Sequence, residues 1–150
     1  MSHPANALDY AMRLLARRDH TRRELFARLS GKGFSPAESE EAIARLVAWG
    51  YLDERAIARR WVEDCQMRRP RGRALAAAEL EARGIPEEIV REALSHYPPA
   101  REERVARAAL ARLGIRIPVP PPDRPRAWRA LLRLGFPEPL AARLCGVPDA

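Results

Sequence analysis

The chain has 150 residues, 47% of them hydrophobic and 31% charged, a length that argues against a two-domain enzyme with a large cofactor cleft and a composition that excludes wholesale disorder. Ala, Leu, Arg and Glu dominate while aromatic residues make up only 6%, so helix is the leading expectation. The net charge of +7 comes from 27 basic and 20 acidic residues, with Lys32 the only lysine; an arginine bias of this kind follows from GC-rich coding, so only the distribution of charge is informative.

In chain order, Leu8, Met12 and Leu15 form the apolar stripe of a first helix. Thr21 and Glu24 make a capping box that opens a second helix, with Leu25, Phe26 and Leu29 inward and Gly31 and Gly33 at its end. Ser35, Pro36 and Glu38 combine an N-cap, a proline at the first helical position and a second capping box, followed by Ala42, Ile43, Leu46 and Val47. Gly50 stops that helix and Asp53 caps the next, whose face is Ile57, Trp61 and Cys65. Leu75 and Leu80, then Ile89, Val90, Ala93 and Leu94, mark two more. Val105, Ala109 and Leu113 begin another, which the stretch from Gly114 to Pro125, with five prolines, interrupts. Trp128, Leu131 and Leu132, then Leu140 and Leu144, complete about nine helices, and no segment alternates as a strand would.

A period underlies this order. Gly33, Gly84 and Gly135 are each 51 residues apart, each preceded four residues earlier by Leu (Leu29, Leu80, Leu131) and followed by an apolar residue and then Pro36, Pro86 or Pro137. The chain therefore reads as three tandem three-helix repeats, over 1–50, 51–97 and 98–150. Three short helices cannot bury both faces alone, so the expected fold is all-α, the repeats stacked into an elongated, curved array with a small core in each unit. Such a shape predicts a monomer with a long surface and no deep cleft.

Chemistry is sparse in this pattern. Cys65 and Cys145 stand 80 residues apart, and the three histidines are scattered, so no metal site is legible. No nucleophile and base occur in an activating context, and the SGKGF stretch is a helix C-cap rather than a phosphate loop. Glu40-Glu41, Glu87-Glu88 and Glu102-Glu103 fall mainly in first helical turns, where they complement the helix dipole. No catalytic residue, metal or cofactor is expected. The start lacks a basic region followed by an apolar stretch and no run approaches a membrane span, which predicts a cytoplasmic protein that does not engage a membrane.

The basic groups carry more. Arg68, Arg69, Arg71 and Arg73 fall within six residues, without an acid, between two helices of the middle unit; they are either a solvated loop or a contact for phosphate or an acidic partner. Residues 101–150 hold ten basic and five acidic side chains, whereas residues 1–67 hold eleven and ten. There, Arg124, Arg126, Arg129 and Arg133 follow the prolines, the last three on one side of a helix and Trp128, Leu131 and Leu132 on another. A basic stripe opposite an apolar one suits nucleic-acid contact.

The run ALDYAMRLLARRDHTRRELFARLSGKGFSP, then AIARLVAWGYLDERAIARRWVEDC and RGRALAAAELEARGIPEEIVREAL, resembles the RecX family of regulatory proteins over residues 7–97. The most specific parts are Arg22 to Gly33, the turn from Gly50 to Glu54, and Glu79-Leu80 before Gly84-Ile85. The resemblance implies a non-enzymatic, all-helical protein that lodges in the groove of the RecA recombinase filament, limits its growth and lowers ATP hydrolysis and strand exchange. On that reading Arg68, Arg69, Arg71 and Arg73 meet acidic groups of the recombinase, and Arg124, Arg126, Arg129 and Arg133 meet single- or double-stranded DNA. The alternative is a stand-alone helical DNA-binding protein, since three-helix units resemble helix-turn-helix modules.

Overall fold

The computed structural model describes residues 6–146. Among them are nine α-helices and no strand. They fall into triplets: α1 (Ala7–Arg17), α2 (Arg22–Lys32) and α3 (Pro36–Ala48); α4 (Glu54–Met67), α5 (Arg73–Ala82) and α6 (Glu87–Leu94); α7 (Pro99–Arg112), α8 (Arg124–Arg133) and α9 (Glu138–Cys145). A 3-10 turn at Pro121–Asp123 leads into α8. The closest helix packing is within each triplet.

The sequence punctuation acts as read. Thr21 and Glu24 close the reciprocal capping box, Ser35 accepts from the Glu38 N–H, and Asp53 accepts from the Ala56 N–H. Of the second box only the Ser35 half is formed. Gly33, Gly84 and Gly135 take φ of 102°, 91° and 83°, the left-handed conformation that ends a helix and that glycine adopts without strain.

Three apolar assignments shift. In α1 the buried face is Ala7, Ala11 and Leu14, while Leu8 and Leu15 sit at its edge and Met12 is 41% exposed. The alanines let α1 come close to α3, and the bulkier leucines flank that contact. Leu113 is exposed because α7 has ended, and Ile115, carried past Gly114, enters the core in its place. Leu132 lies on the outer side of α8 rather than with Leu131.

The core is divided in two rather than three. One cluster holds Leu14, Leu25, Leu29, Ile43 and Leu46 of the first unit. The second runs unbroken from Ile57 and Leu80 through Val105 and Leu110 to Leu131 and Leu144. Units two and three thus share one core, and unit one has its own.

The joints between units repeat a common device. At the first, the Thr21 hydroxyl donates to the Arg83 carbonyl (2.6 Å), and the Arg22 N–H donates to the buried Glu54 carboxylate (3.2 Å). At the second, the Gly72 N–H donates to the Leu134 carbonyl (2.7 Å), and the Arg73 N–H donates to the buried Glu102 carboxylate (3.1 Å). Three of the four pairs of positions are again 51 residues apart, 21 and 72, 83 and 134, and 22 and 73, while Glu54 and Glu102 are 48 apart. A glutamate from the first turn of one unit therefore caps the second helix of the unit before it, where free N–H groups and the helix dipole both favour a carboxylate. In the third unit the corresponding N–H, that of Arg124, bonds instead to Pro121 O within the 3-10 turn, and Pro125 has no N–H to satisfy. The proline segment so supplies this helix start with its own cap.

The chain of 16.9 kDa exposes 9345 Å², against roughly 7,700 Å² for a compact monomer of that mass. No helix among the described residues is long and apolar enough to cross a membrane.

Candidate partner interface

The loop joining α4 to α5 is built from inside. The fully buried Tyr97 donates its hydroxyl to the Arg71 carbonyl (2.8 Å), and burial pushes that phenol well above its usual pKa. Arg71 lies 3.3 Å from Glu79, and the Arg73 Nε donates to the Tyr97 carbonyl (2.6 Å). Of the four arginines read as one cluster, Arg71 and Arg73 are therefore engaged within the protein. Arg68 and Arg69 are exposed, and the Arg69 guanidinium lies 5.6 Å from the centroid of the Trp61 ring.

Trp61 is half-buried in the face of α4 that turns toward unit one. A second guanidinium, that of Arg83, also lies 5.6 Å from its ring. Arg83 forms a two-point hydrogen bond with Glu24 across the first joint, at 3.2 and 2.9 Å. Burial alone would raise the Glu24 carboxyl, but the hydrogen bonds from Arg83 and the Thr21 N–H hold it below the usual carboxylate range. Burial raises Glu54, whose nearest compensation is the Arg22 N–H. His20 is buried beside the same joint; desolvation lowers its pKa, and its Nδ1 lies 3.0 Å from the Arg18 carbonyl. Cys65 is buried too, its thiol pushed up to about 11 by desolvation, so it packs and does not react.

The C-terminal arginines separate in the same way. Arg126, Arg129 and Arg133 stand exposed along α8, opposite Ala127, Ala130 and Leu131, which are buried. Arg126 makes a long bond to the Leu113 carbonyl (3.4 Å), and Arg129 and Arg133 have no ion pair among the described residues. Arg124 turns away from this stripe, its guanidinium 3.6 Å from where a Cβ on Gly146 would sit at the end of α9. No acidic residue lies within α8.

A family model for the RecX first three-helix domain matches residues 7–46, and one for the RecX second three-helix domain matches residues 53–94. The regulatory protein RecX of Thermus thermophilus is 47% identical over 133 residues, 89% of this chain and 85% of the relative. The chain belongs to the RecX family. The RecX of Chromohalobacter salexigens is 35% identical over 88% of this chain and 86% of its own length. The crystal structure of RecX from Lactobacillus salivarius superposes with a TM-score of 0.75 at 17% identity, covering 93% of this chain and 92% of that one. The two family domains meet between residues 46 and 53, just before Glu54, the residue that makes the first joint.

Sequence reasoning read the all-α three-helix repeats but missed what joins them. Glu102 reads as a first-turn acid complementing its own helix, and Glu54 only as the end of the Gly50–Glu54 turn; each instead caps a different helix, 32 and 29 residues earlier in the chain. The 51-residue offset reaches Thr21 and Gly72, and Arg83 and Leu134, but Glu54 and Glu102 are 48 residues apart and fall outside it. Arg18, Arg60, Trp61 and Arg83 converge on one surface from three segments, and no local pattern announces it.

Proposed function

We propose that this protein binds the RecA recombinase filament assembled on DNA and restrains its ATP hydrolysis and strand exchange, as a monomeric cytoplasmic regulator without catalysis of its own. Membership of a family named for regulation supports it, as does an elongated array that offers two chemically different basic surfaces. The observation that carries the division of labour is the contrast between the acid-free stripe Arg126, Arg129 and Arg133 on α8 and the exposed pair Arg68 and Arg69 beside Trp61. The stripe of Arg126, Arg129 and Arg133 suits DNA phosphates, and Arg124, turned toward the end of α9, adds its charge beside it; Arg68 and Arg69 suit acidic groups of the recombinase, on a loop whose shape Arg71 and Arg73 maintain.

The test is recombinase ATP hydrolysis on single-stranded DNA titrated with this protein. Hydrolysis should fall, and co-sedimentation with the filament should survive salt that abolishes binding to bare DNA. Replacing Arg124, Arg126, Arg129 and Arg133 by Gln should flatten the salt slope of bare-DNA binding by up to about 0.7 for each single-strand phosphate no longer neutralised. The acid-free stripe also favours a second reading, a stand-alone DNA-binding protein. Unchanged hydrolysis together with tight, salt-sensitive DNA binding would establish that reading instead.

A further inference from the structure

Each joint seats the start of one unit's second helix against two parts of the next unit, the opening turn of its first helix and the carbonyl just before its left-handed glycine. Unit one carries a third copy of this receiving side. In the first helices, Ala11, Ala58 and Ala106 are equivalent and fully buried. Four residues before them stand Ala7, Glu54 and Glu102, and one residue before them Tyr10, Ile57 and Val105. The equivalent carbonyls are those of Lys32, Arg83 and Leu134, followed two residues on by Phe34, Ile85 and Phe136.

Among the described residues nothing is seated on the first member of each set. Where a helix start is seated, Ile57, Ile85, Val105 and Phe136 are buried, whereas Tyr10 and Phe34 are only half-buried, their ring centroids 6.2 Å apart. The Arg83 and Leu134 carbonyls each accept from the seated segment, while the Lys32 carbonyl accepts no hydrogen bond among the described residues. A Cβ on Gly84 would lie 2.6 Å from Arg23 of that segment, and one on Gly33 meets nothing within 4 Å. The first joint also shows what fits. Its seated segment, Thr21 to Glu24, is a capping box whose hydroxyl donates to the Arg83 carbonyl and whose glutamate pairs with the Arg83 guanidinium. At the open copy Lys32 takes the place of Arg83, and its exposed ammonium lies 5.5 Å from the centroid of the Tyr10 ring. A second copy of this chain cannot offer Thr21 to Glu24 without opening its own first joint, and its remaining second-helix start, at Arg124, is closed by the 3-10 turn.

We propose that this end of unit one binds the first turn of a helix of another protein, one that opens with Ser or Thr and carries Glu three residues on. The hydroxyl donates to the Lys32 carbonyl, the glutamate pairs with the Lys32 ammonium, and the helix covers Tyr10 and Phe34. Ala7 offers no carboxylate to the next N–H of that helix, so the contact is weaker than the internal joints and reversible. The proposal rests on the repeat geometry and not on the filament reading.

The experiment follows the amide NMR signals of the isotopically labelled full chain as it is titrated with a peptide of the sequence Asp19 to Ser30, stapled to stay helical because so short a helix is marginal alone. Signals of residues 7–11 and 32–35 should shift. Peptides carrying Thr21→Val or Glu24→Gln should bind at least about fivefold more weakly, as should the unaltered peptide to a Lys32→Glu chain whose circular dichroism spectrum is unchanged. Ala7→Glu, which installs the carboxylate found at positions 54 and 102, should tighten binding about threefold to tenfold. No shift, shifts centred on residues 54 and 83–85, affinity indifferent to both peptide substitutions or to Lys32→Glu, or a folded Ala7→Glu chain that binds no tighter would each overturn the proposal. Failure of the unaltered chain to lower recombinase ATP hydrolysis would sink the filament reading and leave the peptide result standing.

Discussion

The two joints of this array occupy equivalent positions and are held by different physics. At the first, side chains do the joining: the Thr21 hydroxyl, the Arg83–Glu24 pair and the buried Glu54, with no apolar cluster passing through. At the second, backbone meets backbone. A Cβ at Gly72 would lie 2.2 Å from the Gly135 carbonyl oxygen, and the apolar core is continuous across the contact. Apolar burial is non-directional and large in aggregate, whereas a polar joint depends on geometry and on pH. Unit one is therefore expected to open separately, and units two and three as one cooperative body.

The largest effect that could break this contrast comes from placing a carboxylate in the cores. Leu29, Leu80 and Leu131 are all 0% exposed, so Leu→Asp at each should cost several kcal/mol, on the order of a domain's whole stability. Hydrogen exchange should show Leu29→Asp abolishing protection in α1–α3 alone, while Leu80→Asp and Leu131→Asp each abolish it throughout α4–α9. Loss of protection in α4–α9 from Leu29→Asp would mean the cores are coupled after all.

Glycine substitutions sharpen the comparison. Gly72 has ordinary backbone angles, so Gly72→Ala tests the close approach at the joint alone; with a backbone oxygen in the way it should cost about 2–3 kcal/mol, read from denaturant midpoints. Gly33 is the equivalent of Gly84 and Gly135 with no unit against it, and an added Cβ meets nothing within 4 Å. Gly33→Ala should cost only the left-handed backbone penalty, about 1 kcal/mol. Equal costs at the two positions would remove the case for a tight second joint.

Removing the shared cap should show the joints to be alike in this one respect. Glu54→Ala and Glu102→Ala each leave a helix N–H unsatisfied and should each destabilise by about 1–3 kcal/mol. Thermal unfolding checks this, and a neutral result at either position would show that water replaces the carboxylate there.

The smallest effect concerns pH. Desolvation lowers the His20 pKa below its usual 6.5, so the unfolded chain takes up the proton first. The stability it contributes is full above pH 6.5 and is lost as pH falls through the folded-state pKa, with a slope of up to about 1.4 kcal/mol per pH unit. Unfolding of α1–α3 followed between pH 7.5 and 5.5 should show this slope, and His20→Gln should remove it. A slope unchanged by His20→Gln would assign the pH dependence elsewhere.

The helices, their caps and the repeat were legible because they are local. Thr21 needs only Glu24 three residues on, and a left-handed glycine needs only its own missing Cβ. Periodicity placed Leu25, Leu80 and Leu131 inward for the same reason, since a helix carries its neighbours at fixed offsets. It failed at Met12 and Leu132, where a helix has apolar residues to spare and packing selects which side turns in. The arginine clusters were legible as charge but not as roles. Arg68 and Arg71 look alike in sequence, and only the position of Glu79 and Tyr97 separates an engaged guanidinium from an exposed one. By itself, then, the sequence determined the all-α class, the three units and the basic C-terminal third, because each depends on composition or on contacts within a few residues. Tertiary structure alone decided that two units share a core, that Glu54 and Glu102 cap helices of other units, and that Arg18 of the first unit and Arg60 and Arg83 of the second gather on one surface. Those contacts join residues about 30 or more positions apart, and no local preference encodes which distant partner a side chain will meet.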